Sequence, residues 1–131
     1  MPQLLTVAFF GSVNPGAQNT LVSQRIARPF RLDDIRVHFA LNTNKLLELR
    51  FFISPEPSAP TTTEPTGFNI LDQAGQVPYL VGDDDTKVVP IQAFSKTAPA
   101  WLKVHATNND TFAHTIDALM IILLDPPPEE S

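Results

Sequence analysis

The sequence of 131 residues contains no cysteine and only five glycines. Without cysteine the chain cannot form a disulfide, a thiolate zinc site or a cysteine nucleophile, so we expect packing alone to stabilise the fold. So few glycines leave no glycine-rich loop of the kind that cradles phosphate. The longest run of large apolar side chains, residues 119–124, is far shorter than the roughly 20 residues of a membrane-spanning helix. We therefore expect no membrane partner.

The chain also has few basic residues, nine against fourteen acidic ones, and a net charge of −5. A nucleic-acid-binding protein would carry a net basic face, so no nucleic-acid partner is expected. The charge is uneven, however. Residues 25–50 hold six basic and three acidic groups, a net +3, and the remainder holds three basic and eleven acidic groups, a net −8. The basic segment is either a candidate contact surface for an acidic partner or an ordinary solvated face. Its arginines are Arg25, Arg28, Arg31, Arg36 and Arg50.

Proline is abundant, and its thirteen residues leave few windows long enough for a core helix. Strands fit these windows, because apolar and polar residues alternate in several of them and turn signals follow about every ten residues. This pattern predicts an all-β fold: an antiparallel two-sheet β-sandwich, jelly-roll-like, with eight or nine strands in a single domain at residues 1–125. The predicted strands lie at residues 3–10, 20–28, 35–41, 46–54, 68–72, 77–81, 87–94, 100–106 and 114–124.

The alternation is clearest at residues 35–41 and 46–54, which a short polar connection joins. We expect these two strands to form an antiparallel hairpin. Residues 55–67 contain four prolines and four threonines, which predicts a long exposed loop. Residues 126–131 predict a flexible, acidic, proline-rich tail. The strand at 114–124 becomes apolar on both faces, so we expect it to be covered on both, either centrally in the fold or by a neighbouring subunit.

Side chains with catalytic or metal-binding potential are present but poorly arranged for chemistry. His38, His105 and His114 have no metal-ligand spacing and are expected at the surface or rim. The aspartates at 83–85 are consecutive, which favours a solvated turn over a calcium loop. No serine lies in a nucleophile elbow. The sequence therefore predicts a protein that is not an enzyme and has no catalytic residues, no cofactor and no metal. A cupin-like metalloenzyme is the weakest of the alternatives.

Two amphipathic aromatics, Trp101 and Tyr79, are further candidates for an interface. In the alternating stretch 100–106, Trp101 falls opposite Leu102 and Val104, on the phase of Lys103 and His105, which leaves open whether it points outward. An outward Trp101 could stack on a sugar or anchor a protein partner, whereas the structural alternative is that it caps the edge of the core.

Several stretches resemble small β-sandwich virion proteins of tailed bacteriophages. The resemblance lies in strand rhythm and runs through residues 14–20 (NPGAQNT), 26–32 (IARPFRL), 47–53 (LELRFFI), 77–84 (VPYLVGDD) and 101–109 (WLKVHATNN). Such proteins serve as head-decoration or cement proteins, and related ones occur in neck, tail and fibre parts. The resemblance implies a virion protein, made in the host cytoplasm, that forms a homo-oligomer, most often a trimer. It also implies docking on the major capsid protein or another virion protein.

Two functional hypotheses follow. The first is a structural protein that docks on a capsid lattice and staples neighbouring subunits. The alternative is a carbohydrate-binding or receptor-recognition module that uses Trp101 and Tyr79, with a glycan as its partner.

Overall fold

Two antiparallel sheets face each other across the core. The computed structural model describes residues 3–73, 79–90, 93–95 and 99–124. In chain order the elements are β1 (Gln3–Val13), β2 (Gln18–Val22), β3 (Phe30–Phe39), β4 (Leu47–Ser54), β5 (Phe68–Asn69), a helical turn α1 (Ile70–Gln73), β6 (Asp85–Val89), β7 (Ala93–Ser95), β8 (Trp101–Asn108) and β9 (His114–Leu124). No helix in these ranges is long and apolar enough to cross a membrane.

The strand order is that of a jelly roll. The first sheet runs β1-β9-β3-β6, and β7 also pairs directly with β3. The second sheet runs β2-β8-β4-β5. Strands β6 and β7 pair successive parts of β3, so the nine described strands occupy eight positions. Two sheets of this order are two interlocked Greek keys, the arrangement found in viral and lectin jelly rolls. The predicted antiparallel β-sandwich is confirmed.

The predicted hairpin between residues 35–41 and 46–54 is wrong. Strand β3 pairs with β9, β6 and β7 in the first sheet, whereas β4 pairs with β8 and β5 in the second. The connection between them crosses from one sheet to the other, and Asn42, Asn44 and Lys45 take positive φ there. Alternation identifies which side chains of each strand are buried. It does not show whether two such strands pair in one sheet or face each other across the core, because both arrangements bring their apolar side chains together.

Other strand bounds also differ from the prediction. The strand predicted at 20–28 ends at Val22, and the one at 68–72 is a two-residue strand followed by a helical turn. The strand at 87–94 is divided into β6 and β7. In the stretch 77–81, Leu80 forms an isolated bridge with Leu49, while residues 77–78, like the predicted tail at 126–131, lie outside the described residues.

The core lies between the inner faces of the two sheets. Alternate residues of β3 and β9 bury their side chains against alternate residues of β4 and β8, as the period-two pattern predicts. The largest fully buried apolar side chains come from both sheets and from the helical turn: Phe39, Phe51, Leu32, Ile35, Leu47, Leu49, Ile70, Leu71, Leu102, Ile116 and Met120. One core per domain is what a chain of this length supports.

Two glycines with positive φ give a matched test of backbone fit. Gly67 (φ +108) lies against the backbone of β4, where a methyl group would come within 2.8 Å of the Ser54 Cα, whereas Gly16 (φ +66) has open space around it. We expect Gly16→Ala to cost about 1–2 kcal/mol of stability, the price of a left-handed conformation alone. Gly67→Ala should cost at least twice as much in urea unfolding, because β4 must also move. Equal losses would contradict the close packing of residue 67 on β4.

Candidate interaction surfaces

The outer face of the first sheet is apolar along two adjacent strands. Strand β1 turns Leu4 and Phe10 outward, with 61% and 77% of their surface exposed. The register places the outward residues of β1 beside those of β9: Leu4 is opposite Leu123, Thr6 opposite Ile121, Ala8 opposite Leu119 and Phe10 opposite Asp117. We call the apolar part of this surface the apolar face. It comprises Leu4, Ala8, Phe10, Leu119, Ile121 and Leu123.

Strand β9 explains why the apolar face is continuous. Its inward residues are buried, and its outward residues Leu119, Ile121 and Leu123 are half-buried by their neighbours in the sheet. Because β9 lies between β1 and β3, the outward side chains of β1 and β9 form one surface, in which Thr6 lies among apolar residues and Asp117 lies beside Phe10. The sequence predicts that this strand is covered on both faces, and the central position of β9 in the sheet accounts for part of that covering. No other segment in the described ranges packs over the outer face, so covering by a second molecule stays a prediction.

Charged side chains border the apolar face on its β3 side. Arg36 pairs with Asp34 at 3.2 Å, and Arg31 lies 3.9 Å from Asp33. Within the described residues, Arg31 Nε and Asp34 Oδ1 are buried without a hydrogen-bond partner. Both atoms are covered by the chain itself, so they do not belong to the exposed border.

The outer face of the second sheet is polar, and residues 55–67 lie across it. We call this segment the strap. Most of its side chains are exposed, yet the chain returns to the sheet at several points. Glu56 accepts a 3.0 Å hydrogen bond from Lys103 Nζ, and Glu64 lies 3.0 Å from Arg50 Nε. Two ion pairs therefore anchor the strap to neighbouring strands. The pair near its start holds it to β8, and the pair near its end holds it to β4.

Beneath the strap lies a hydrogen-bonded histidine. His105 Nδ1 is 2.8 Å from Thr20 Oγ1, and His105 Nε2 is 2.9 Å from Gln18 Oε1. Thr20 Oγ1 also donates to the Pro60 carbonyl at 2.6 Å. His105 is 1% exposed, so its predicted surface position is wrong. His105 does lie on the outward side of β8, as the alternation indicates, but the strap, which is distant in sequence, covers that side of the strand.

The other two histidines differ from each other. His38 is exposed and lies 3.2 Å from Thr86 Oγ1. His114 Nε2 lies 2.8 Å from Asp110 Oδ2, and this hydrogen bond is the main reason that the pKa of Asp110 is lowered. Burial, together with the charge of Arg50, lowers the pKa of His105.

Glu56 is the most strongly perturbed carboxyl group. Hydrogen bonds from the hydroxyls of Ser58 and Thr66 and from Lys103 lower the pKa of Glu56 from 4.5 to about 2. All three stabilise the charged form. Lys103 is fully buried, so its ammonium depends on this carboxylate for charge compensation.

The arginines singled out in the sequence do not share one surface. Arg31 and Arg36 lie on the outer face of the first sheet, and Arg25 and Arg28 lie in the connection between the two sheets. Arg50 lies on the outer face of the second sheet, where it pairs with Glu48 and Glu64. The +3 segment is thus divided among three places, and much of its charge is compensated by nearby acids.

The structure brings one of the two aromatic candidates into contact with an arginine. The guanidinium of Arg50 lies 5.0 Å from the centre of the Tyr79 ring, a cation–π distance. Trp101 begins β8 on the same outer face, half-buried and opposite Ser54 in the register. Trp101 thus lies on the outward phase of β8, a point that the sequence left open.

The aspartates at 83–85 form a turn. Asp85 Oδ1 accepts a hydrogen bond from the Asp83 backbone at 3.1 Å, and Asp85 pairs with Lys87 at 3.1 Å. In the described part of the chain, no group of three or more histidine, aspartate or glutamate side chains is placed to hold a metal.

Sequence reasoning missed the exposed residues of the apolar face and the ion pairs of the strap. Leu4 and Phe10 carried a usable signal, because residues 3–10 are apolar in both phases of the strand. Lys103 and Glu56 carried none, since they are separated by a long stretch of sequence and neither shows an unusual local pattern.

Comparisons with known proteins add little beyond the fold. No family model and no curated protein matches this chain. A chain in a structure of infectious bursal disease virus, Gt strain, is 11% identical, with a TM-score of 0.49 over 94% of this chain and 32% of that one. A mitogen from Yersinia pseudotuberculosis is 9% identical, with a TM-score of 0.36 over 100% and 93% of the two chains. A family two carbohydrate esterase from Cellvibrio japonicus is 11% identical, with a TM-score of 0.36 over 98% and 37%.

This chain therefore spans about a third of the viral chain's length. The neighbours differ in what their names describe. The strand pairing of this chain is that of a β-sandwich, viral proteins are among its weak structural neighbours, and no tailed-phage family is shown.

The ion pair between Lys103 and Glu56 can be tested with a double-mutant cycle. Glu56→Gln should lower the urea midpoint of unfolding, because it leaves a buried ammonium without its carboxylate. Adding Lys103→Met should restore most of the loss, since the pair is then replaced by apolar volume and a neutral amide. A double variant as unstable as the sum of the two single variants would show that the two residues are not coupled.

The same pair predicts a pH dependence. The depressed pKa of Glu56 contributes stability that is fully present above 4.5, the ordinary value, and is lost as the pH falls towards about 2. The stability difference between wild type and Glu56→Gln should therefore be constant near neutral pH and shrink across this acid range. Urea unfolding at a series of pH values measures it. A stability difference between the two proteins that is as large at the acid end of the range as at neutral pH would contradict the stabilising role of the Glu56 carboxylate.

Proposed function

We propose that this protein is a non-enzymatic structural protein that docks through its apolar face. The observation that carries the proposal is the exposure of large hydrophobic side chains along β1 beside half-buried ones along β9. From Leu4 to Phe10 the strand is about 20 Å long, so the surface is larger than scattered single residues would make. Contiguous apolar patches of this kind are typical of protein–protein contact sites.

The border of the apolar face fits the same role. Protein interfaces commonly have an apolar centre and a polar rim with hydrogen bonds. Here the paired Arg36 and Asp34 supply the rim on the β3 side. Docking would thus bury hydrophobic surface inside a charged border.

Within this role we favour a capsid decoration, or cement, protein of a bacteriophage virion. It would act as a homo-oligomer, with a trimer favoured, on the major capsid protein or another virion protein. The jelly roll supports this proposal because viral capsid domains use the fold widely, and so does the strand rhythm shared with small virion proteins. A domain that binds repeated sites on a lattice through one sheet can staple adjacent subunits.

The carbohydrate-binding alternative depends on open aromatic faces. One face of the Tyr79 ring carries the Arg50 guanidinium at 5.0 Å, and Trp101 is half-buried. A sugar platform needs a ring face free for stacking, so these surroundings favour docking over glycan recognition.

Two exposed phenylalanines give a matched test of the proposed docking. Phe10 is 77% exposed on the apolar face, and Phe112 is 70% exposed in the loop before β9, outside that face. We expect Phe10→Asp to weaken binding to expanded capsids at least tenfold in a co-sedimentation assay, because it replaces the most exposed apolar side chain of the face with a charge beside Asp117. Phe112→Asp should bind like wild type.

Light scattering of the purified protein gives the oligomeric state in parallel. A strict monomer that does not co-sediment with expanded capsids would contradict the proposal. So would binding that Phe10→Asp leaves unchanged, and a positive glycan array abolished by Trp101→Ala would favour the alternative.

A further inference from the structure

The four sheet edges of the sandwich differ in how they are protected against further strand pairing. Strand β6 is five residues long, contains Asp85 and Lys87, and is followed by Pro90. Strand β5 has two residues, and β2 has five. Charges, prolines and short length are the usual features that stop an edge from pairing.

Strand β1 has none of these features. It is eleven residues long and contains no charged residue and no proline. It pairs with β9 without a register shift along one edge. On the other edge of β1, the Ser12 carbonyl accepts a hydrogen bond from the Asn19 side chain. The part of β1 before Ser12 has no strand partner on this edge within the described ranges. An edge of this length and composition readily accepts another strand.

A groove runs along the open edge of β1. It has a volume of about 450 Å³ and lies between β1 and residues 22–28. Leu5, Val7, Ile26 and Leu124 are among the apolar residues that line it. The opposite wall is fixed in place, because the Ser23 backbone N–H donates to the Leu102 carbonyl of β8 and the Ile26 backbone N–H donates to the Ala100 carbonyl just before β8. The groove therefore offers an open strand edge, an apolar lining and a rigid second wall.

The charge of the groove is one-sided. Among the described residues that line it, the charged ones are Arg25 and Arg28, and both are basic. Arg25 is exposed. A strand lying against β1 would pass the Arg25 guanidinium, so carboxylates on that strand would be favoured and ammonium groups disfavoured.

We propose that the groove is a binding site for an extended acidic peptide segment of a partner protein, which adds as a strand to β1. Backbone hydrogen bonds to the edge supply affinity, alternate apolar side chains enter the groove, and a carboxylate meets Arg25. This site is separate from the apolar face, because it uses the edge of β1 and the connection 22–28 instead of the outer surface of the sheet.

The same charges argue against a second copy of β1 as the occupant. A paired β1 would bring no carboxylate, since the strand is uncharged, and it would add the partner copy's arginines to the region. An acidic strand complements the groove, whereas self-pairing does not.

The test uses three fluorescein-labelled probes of equal length on the full-length protein. In the first, valine alternates with threonine and each end carries glutamate; the second replaces glutamate with lysine. The third is the glutamate probe with alternate backbone nitrogens methylated along one edge, which removes strand hydrogen bonds and keeps the side chains. Fluorescence anisotropy measures binding, and amide hydrogen exchange measures the protection of β1.

We expect the glutamate probe to bind saturably and slow exchange of β1 amides, with the lysine and methylated probes at least tenfold weaker. Arg25→Glu should reverse the preference between glutamate and lysine. The matched control is Lys45→Glu, an equal charge change in the exposed connection between β3 and β4. It should leave binding unchanged, and far-UV circular dichroism checks that both variants fold.

Equal binding of the charged probes, equal binding of the methylated probe, or no effect of Arg25→Glu would overturn the proposal. A protein that is dimeric without peptide, with β1 amides already protected, would also overturn it by showing that a second copy fills the edge. None of these measurements involves a capsid, so failure here is distinguishable from failure of the docking proposal.

Discussion

The constraint that shapes this protein is that strands β1 and β9 of the first sheet carry apolar side chains on both faces, while the sandwich can cover only one face. Ile122 and Met120 of β9 are buried in the core, and Ile121 between them faces outward. A two-layer fold buries one face of each sheet. The surplus hydrophobic surface therefore lies outside, and the functional proposal rests on the need to cover it.

The second sheet differs from the first, because its outer face is polar and the strap covers that face. Burying Lys103 and His105 there requires partners for each, and Glu56, Thr20 and Gln18 provide them. The loop is thus fixed to one sheet by charge and hydrogen bonds, while the other sheet keeps its apolar surface exposed. The two faces of the molecule are consequently unlike, which suits a protein that binds by one side.

Sequence periodicity predicted the sandwich and the inner face of most strands, because burial on one face of a strand imposes a period of two. It failed where partners are set by distant contacts. Strand β3 alternates correctly yet pairs with β9 instead of β4, and His105 alternates outward yet is buried by the strap. The arginines at 25–50 are close in sequence, but the crossing between sheets separates them in space.

The central claim is that the apolar face is the docking surface, and hydroxyl-radical footprinting tests it directly. The protein is labelled free and in complex with expanded capsids, and modification is read at Phe10 and Phe112. The account predicts that Phe10 loses most of its labelling on the particle while Phe112 keeps it. Unchanged labelling of Phe10 with protection of Trp101 would place the contact on the second sheet and contradict the claim.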